Sequence, residues 1–582
     1  MENPIDNKPC IVQTAQGFSV SYKNRFLYSK YAPQKAIQKT IEDLQILPGT
    51  LFLCCSPLLF YGMKELLQKL SENCFVAAVE GENVLYDFSK ENKENQKILE
   101  ELKNDSRFIF IKQSEAQALV DSISGNNDFL LCQKKLLPPE TFRRVKRIDF
   151  SAGTQFNLDF YNELTSVLEN AVTTYWANRL TLTKFGKKYS QNLFENLKSL
   201  PETIPIQKYF KSVQKPVLIF GAGESTDRGI TLIKEHWKDF FIVAADTAMI
   251  PLLKNQIIPD AVFLEEAQNV ISKAFIHHER KNKKIHYFAG MTSIPSLKVF
   301  VDTSQLSYFT TKYTSADFLD NLIKESILPP VNKPFGSVGL TALYYALKFR
   351  MNDEVPVYIY GLDFSYSAGI THAKGTIAST QRLADCNKLN PSANYASAFV
   401  NAYKVTGKYG KTYFTTRALE NYSIMMNHFF AGEKNVFDSG DCGLISCFER
   451  KEPFERFKDF AGGDENSTSN ENSILGTKIF AGDGNSISNR NSISTQNSTF
   501  SPIPAQKIAV FFKEEKVQLE KLRDILTGKE NMDEKTALEE IKKIAAHREY
   551  LFLHFPDGQQ FSTELSFLKR VRASIDFFLK LF

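Results

Sequence analysis

No stretch of this 582-residue chain approaches the ~18–20 uninterrupted apolar residues that a membrane helix needs. The strongest local run, Leu51–Met63, is short and holds Cys54, Cys55, Ser56 and Pro57, so no membrane span is expected. Met1–Lys8 is polar and acidic where a secretory signal is basic and then apolar. The eight cysteines are scattered, with no C-x-x-C and no histidine at zinc-ligand spacing. That pattern predicts free thiols in a reducing, cytoplasmic compartment. Charge of one sign is also lacking: the net value of +5 is close to neutral over this length, which argues against a dedicated nucleic-acid binder. Nor is there a G-x-x-x-x-G-K-[ST] run, which argues against a P-loop kinase or ATPase.

What is present is material for packed cores. Hydrophobic residues make up 43% and aromatics 13%, with 48 Phe and 23 Tyr. At ~100–200 residues per domain, the length suits roughly three or four folding units. Residues 1–155 alternate helical segments (Lys35–Leu47, Met63–Leu70) with apolar runs (Gly49–Cys55, Cys74–Val79, Phe108–Lys112), the signature of an N-terminal Rossmann-like α/β domain. Residues 156–211 read as a helical connector. Residues 212–450 hold the clearest strand–loop–helix repeats, and predict a central doubly wound, Rossmann-like parallel sheet. Residues 451–505 include an Asn/Ser/Gly-rich low-complexity insertion that repeats itself, and a flexible linker is expected there. Residues 506–582 return to helical periodicity, as a C-terminal helical region.

Three loops of the central domain could carry chemistry. Gly221-Ala222-Gly223-Glu224-Ser225 lies between the apolar strand Val217–Phe220 and a helix starting at Thr226. Glycines there admit close backbone approach to a phosphate, and a helix N-terminus offers unpaired N–H groups. The G-x-G-x-x-G pattern is incomplete, so a plain strand-to-helix turn is an equal alternative. Asp246-Thr247 follows the second strand about 25 residues later, where a ribose-binding carboxylate falls in nucleotide-binding sheets; an Asp that caps the next helix is the alternative. The loop Gly361–Gly375 then places Asp363 and His372 after a buried strand. His372 could act as general base or acid near neutral pH, with Asp363 orienting it or positioning substrate.

The order GAGES, AADTAMIPLLKNQIIPDAVF, FGSVGLTALYYAL and VYIYGLDFSYSAGITHAKGT resembles the motility accessory factor (Maf) flagellin glycosyltransferases, with their 6-hydroxymethylpterin diphosphokinase MptE-like central domain. LYSKYAP near the start and KTYFTTRALENYSIMMNHFF with VFDSGDCGLI near residue 440 fit the same pattern. The resemblance implies a sialyltransferase-like enzyme. It would transfer a nonulosonic (sialic-acid-like) sugar, with inversion, from a CMP-activated donor to Ser/Thr of flagellin. Nucleotide sugar and flagellin are the implied partners, and no cofactor is obligatory, with magnesium left open. Carried over by position, Gly221, Gly223, Glu224 and Ser225 would face the nucleotide phosphate, Asp246, Thr247 and Ser337 would line its pocket, and Asp363 and His372 would stand near sugar and acceptor.

Two departures stand out. Glu224 replaces the family's usual Pro, and Glu265-Glu266 stands where a single Asp is more common. In the first domain Cys54-Cys55-Ser56-Pro57 replaces a Gly-rich turn, so that domain is expected to hold no nucleotide of its own. Resemblance to archaeal diphosphokinases implies a second activity, ATP- and magnesium-dependent pyrophosphoryl transfer, with Asp246, Glu265, Glu266 and Asp363 as metal ligands. A third reading is a non-catalytic flagellin-binding or assembly protein that keeps the fold.

Overall fold

In the computed structural model the described residues are 8–71, 73–123, 130–131, 134–135, 139–275, 284–314, 316–391, 398–453, 502–556 and 560–582. The chain forms two compact units, Met1–Lys184 with Phe555–Gly558, and Phe185–His554 with Gln559–Phe582. The segment read as a connector is dominated by one 42-residue helix, Leu158–Ser199, and the boundary between the units falls inside it. The low-complexity insertion lies almost wholly outside the described residues.

The first unit opens with an antiparallel sheet that the periodicity did not reveal, β1 (Cys10–Thr14), β2 (Gly17–Tyr22) and β3 (Arg25–Phe26). Its parallel sheet has β4 (Thr50–Cys55), β5 (Phe75–Glu80), β6 (Phe108–Lys112) and, after the short hairpin β7 (Leu130–Leu131) and β8 (Lys134–Lys135), β9 (Arg144–Asp149), in the order β6-β5-β4-β9. Successive side chains of a strand point to opposite faces. Accordingly Leu51, Leu53 and Cys55 join one core with Leu119, Tyr161 and Leu164, whereas Phe52 and Cys54 join another with Ile37, Ile41 and Met63. Helices therefore cover both faces, the doubly wound arrangement expected of continuous apolar strands.

At the switch point of this sheet the turn after β4 is filled by the protein itself. Ser56 Oγ donates to Glu80 Oε2 at 2.9 Å, and Ser151 Oγ donates to the Ser56 carbonyl at 2.8 Å. Ser56, Leu58 and Phe60 all have positive φ, a strained backbone for residues with side chains. Burial pushes the Glu80 carboxyl up to about 7.

The second unit is built on nine strands: β10 (Val217–Phe220), β11 (Phe241–Ala245), β12 (Ala261–Leu264), β13 (His286–Gly290), β14 (Leu306–Thr311), β15 (Val331–Asn332), β16 (Val357–Tyr360), and, after the hairpin β17 (Tyr403–Thr406) and β18 (Thr412–Thr415), β19 (Val436–Asp438) and β20 (Glu449–Arg450). The order is β15-β14-β13-β12-β11-β10-β16-β19-β20, every pair parallel. The chain thus runs outward from β10 to β15, then crosses back and continues from β16 on the other side. This is an α/β fold of the doubly wound kind, and β10 and β16 flank its topological switch point.

The helix Val338–Phe349 packs Leu340, Leu343, Tyr345 and Phe349 on Val217, Ile219, Val243, Phe263 and Phe288, and forms the main core with them. On the other face the helix Thr226–Ile233 comes close because it carries Gly229. A Cβ there would meet the Tyr360 and Phe220 rings at 2.7–2.8 Å. Helices Ala505–Leu526, Glu534–Ala545 and Leu565–Phe578 complete this unit, with Phe511, Tyr550, Phe578 and Phe582 gathered round Phe194.

Candidate functional site

Parallel pairing brings the three loops singled out in the sequence to one edge. Phe220 is level with Ala244 on one side and Tyr360 on the other, so Gly221, Ala245 and Gly361 stand abreast at the carboxyl ends of adjacent strands, ~4.8 Å apart. On the far side Ala245 is level with Phe263, and Glu265, two residues further along, follows the end of β12. This is the rim where open parallel sheets bind ligands.

At the switch point, however, the anion seat is occupied by a side chain of the protein. Ser225 N–H donates to Asp363 Oδ2 at 2.8 Å and Ser225 Oγ to Asp363 Oδ1 at 2.5 Å, while Gly361 N–H donates to Ser225 Oγ at 2.7 Å. The glycines are needed for this closure. A Cβ on Gly221 would lie 2.2 Å from the Gly361 carbonyl oxygen, and one on Gly223 would lie 2.4 Å from Asp363 Oδ2. In this geometry Gly221 N–H donates to the Tyr360 carbonyl at 2.8 Å, Gly223 N–H to the Gly361 carbonyl at 2.9 Å and Ser225 to Asp363, because two crossover loops meet there.

Asp363 is 3% exposed, and burial pushes its carboxyl up to about 6. The Ser225 hydrogen bonds and the Lys408 charge oppose that rise, whereas Asp438 adds to it. A third loop closes over the same point. Lys408 Nζ pairs with Asp438 Oδ2 at 2.7 Å, Gly440 N–H donates to Asp438 Oδ1 at 3.0 Å, and Gly443, at φ +99°, has no room for a Cβ beside Asp363. Lys408 and Asp438 were not singled out from the sequence. The glycines of Asp438-Ser439-Gly440-Asp441-Cys442-Gly443, directly after an apolar strand, were the available signal.

Glu224 is anchored to the loop that carries His372: Ser367 N–H donates to its Oε2 at 3.1 Å. Two further bonds strap the same loop to the turn, Ala373 N–H to the Ala222 carbonyl and Lys374 N–H to Asp227 Oδ1, both at 2.9 Å. His372 is half-buried, with Nδ1 3.1 Å from Thr371 Oγ1. Burial and the nearby Arg382 cation both hold its pKa below the ordinary imidazole value, so the ring is neutral at pH 7.

Further along the rim lies an acidic patch. Asp246 is the first residue of the helix Asp246–Lys254, and its Oδ1 accepts from Thr247 N–H and Thr247 Oγ. Burial raises its carboxyl to about 6, and the Glu266 charge adds to that. Glu265 receives Thr311 Oγ1 on one oxygen and Thr341 Oγ1, at 2.7 Å, on the other. Burial also pushes its carboxyl up, with Asp246 contributing. Ser337 precedes the helix Val338–Phe349; its side chain caps nothing, and Gly336, at φ +69°, makes the turn into it.

The end of the long helix supports this rim. Asn192 Nδ2 donates to the Ala267 and Thr292 carbonyls, and Asn196 Nδ2 to those of Met291 and Ser293. Among the described residues no three carboxylate, imidazole or thiol groups converge closely enough to hold a metal ion. With both Glu265 oxygens already engaged, Asp246, Glu265, Glu266 and Asp363 do not fit a resident magnesium in this arrangement. None of the described helices is long and apolar enough to cross a membrane.

Comparison with known proteins agrees with this architecture. Residues 187–369 match the family described as 6-hydroxymethylpterin diphosphokinase MptE-like. An uncharacterized protein of Treponema pallidum (strain Nichols) is 28% identical over 590 aligned positions, covering 98% of this chain and 95% of that one. The solved structure of a Maf glycosyltransferase from Magnetospirillum magneticum AMB-1 superposes over 100% of this chain and 91% of its own, with a TM-score of 0.53 and 13% identity. The chain therefore contains an MptE-like domain in its second unit and shares the fold of a Maf glycosyltransferase.

Proposed function

We propose that this protein is a glycosyltransferase that moves a nonulosonic sugar from a CMP-activated donor to Ser or Thr hydroxyls of flagellin. The observation that carries the reading is His372: a neutral imidazole on a loop strapped to the switch-point turn, at the carboxyl edge of an MptE-like sheet. This reading assigns the proton to Nδ1, donating to Thr371 Oγ1 at 3.1 Å, which leaves Nε2 as the basic atom. It would take the proton of the acceptor hydroxyl as that oxygen attacks the anomeric carbon from the face opposite CMP. The bond from sugar to phosphate oxygen breaks, CMP leaves with the electron pair, and the configuration inverts.

CMP is already a good leaving group, so most of the protein's contribution is orientation and charge stabilisation. In this reading Asp246, Thr247 and Ser337 line the donor side. Gly221, Gly223, Glu224, Ser225 and Asp363 are positioning residues that hold the His372 loop. No cofactor is required, and transfer takes place in the cytoplasm, where CMP-sugars and unassembled flagellin meet.

The family match over 187–369 favours one other reading, ATP-dependent pyrophosphoryl transfer. Thermal melts separate the two. Stabilisation by CMP without magnesium supports sugar transfer, and stabilisation by ATP only with magnesium supports the diphosphokinase. If no nucleotide stabilises the protein, a non-catalytic flagellin-binding role takes their place. Intact-mass measurement of flagellin from cells with and without this protein tests the transfer directly: a loss of mass in units of one nonulosonic residue is expected, and an unchanged mass sinks it.

A further inference from the structure

The helix Ile377–Asp385, which follows the His372 loop, buries an arginine whose charge has no counter-ion among the described residues. Arg382 is 6% exposed. A guanidinium presents five N–H donors, keeps its charge at any working pH, and is costly to take out of water unless an anion receives it. Arg382 Nη1 donates to Thr371 Oγ1 at 3.4 Å, at the long limit of hydrogen bonding, and its buried Nε–H has no acceptor. Among the described residues no carboxylate pairs with it.

Arg350 is equally buried and shows the contrast. It pairs with Glu433 at 3.1 Å and Asp353 at 3.6 Å, and donates to the Lys434 carbonyl at 2.7 Å. That arginine is satisfied by the fold; Arg382 is not.

The surroundings are held in place. The Thr371 hydroxyl meets His372 Nδ1 on one side and Arg382 on the other, so the imidazole and the guanidinium share one small polar group. The Thr376 side chain caps the helix by accepting from Ser379 N–H. Lys254 Nζ, donating to the Gly375 carbonyl at 3.1 Å, ties the end of the loop to the helix that begins with Asp246.

We propose that Arg382 is the seat of a ligand oxyanion, a carboxylate or a phosphate, held beside His372. The planar fork of a guanidinium matches either group through two parallel hydrogen bonds. The proposal rests on the sugar-transfer reading and deepens it, because a CMP-activated nonulosonic acid carries both groups close to the reacting carbon. It also couples binding to catalysis. Once an anion neutralises Arg382, the charge that depresses the basicity of His372 is offset, so the base strengthens when the donor is in place.

Calorimetric titration of the full chain with CMP, cytidine and N-acetylneuraminate tests this in wild type, Arg382→Gln and Arg382→Lys, with folding checked by thermal melt. A phosphate seat predicts at least tenfold weaker CMP binding in Arg382→Gln with cytidine unchanged. A carboxylate seat predicts at least tenfold weaker N-acetylneuraminate binding with CMP unchanged. Equal binding of every probe by the folded variant, or equal weakening of cytidine, overturns the proposal. If Arg382→Gln does not fold, Arg382→Lys, which keeps the charge and loses the fork, carries the same comparison.

If wild type binds neither cytidine nor CMP, the transfer reading fails while the seat is still decidable. Inorganic phosphate and acetate are then titrated against the His372 imidazole NMR signal, assigned with His372→Ala. A shift in wild type that Arg382 substitution abolishes supports the seat, and no shift refutes it.

Discussion

Single side chains decide the chemistry at this rim, and two substitutions separate its parts. His372→Ala removes the proposed base, and turnover should fall by about 10²-fold or more with CMP affinity retained, as a lost general base predicts. Transfer at the wild-type rate would take His372 out of the mechanism. Asp363→Asn keeps the shape but loses the charge, and its amide oxygen can accept only part of what two carboxylate oxygens take from Ser225. A loss of about 2 kcal/mol in urea unfolding is expected, the worth of a hydrogen bond to a charged group. His372 and Asp363 were both visible in the sequence as an acid and a histidine nine positions apart. The bond from Ser225 to Asp363 was not, because that partner lies 138 residues earlier.

Between elements, the closure of loop on loop limits what the turn after β10 can accept. Gly221→Ala puts a methyl 2.2 Å from a backbone oxygen that belongs to the neighbouring strand's loop. Neither backbone can retreat without breaking strand pairing, so a loss of about 3 kcal/mol is expected. A variant as stable as wild type would show that the turn stands open in solution. Glu224→Pro tests the strap. It restores the residue more usual in the resembled family but removes the acceptor for Ser367 N–H. Stability should fall by only about 1 kcal/mol, while hydrogen exchange at Ser367 rises sharply; unchanged exchange would dismiss the strap.

Across the whole molecule, buried titratable groups pull stability in opposite directions with pH. Glu80 is raised from 4.5 to about 7, so the folded first unit holds a proton that the unfolded chain has already released. That contribution is fully present below about pH 4.5 and is lost as pH rises toward 7. From pH 5 to pH 8 it amounts to about 2–3 kcal/mol. Glu80→Gln should flatten this limb in urea unfolding followed by a probe in the first unit, and an unchanged slope would contradict the assignment. In the second unit Asp246 and Asp363 slope the same way. His286, lowered to about 3 by burial, slopes the other way, losing stability as pH falls below about 6.5.

The apolar runs at 217–220, 240–244, 261–264 and 355–360, with helical spacing between them, were enough to determine from sequence that a parallel doubly wound sheet forms and that its loops carry the polar motifs. Burial of both strand faces leaves that signature in the local order of residues. The strands β13, β14 and β19 and the antiparallel sheet β1-β2-β3 were not singled out, since their partners are set by packing at long range. Only the tertiary structure decided that Asp363 fills the turn at Ser225, that Glu224 is a strap, and that Arg382 lies buried beside His372 without a counter-ion among the described residues. Such facts depend on which loops a crossover brings together, and no periodicity within a segment encodes the side chains that arrive from the next one.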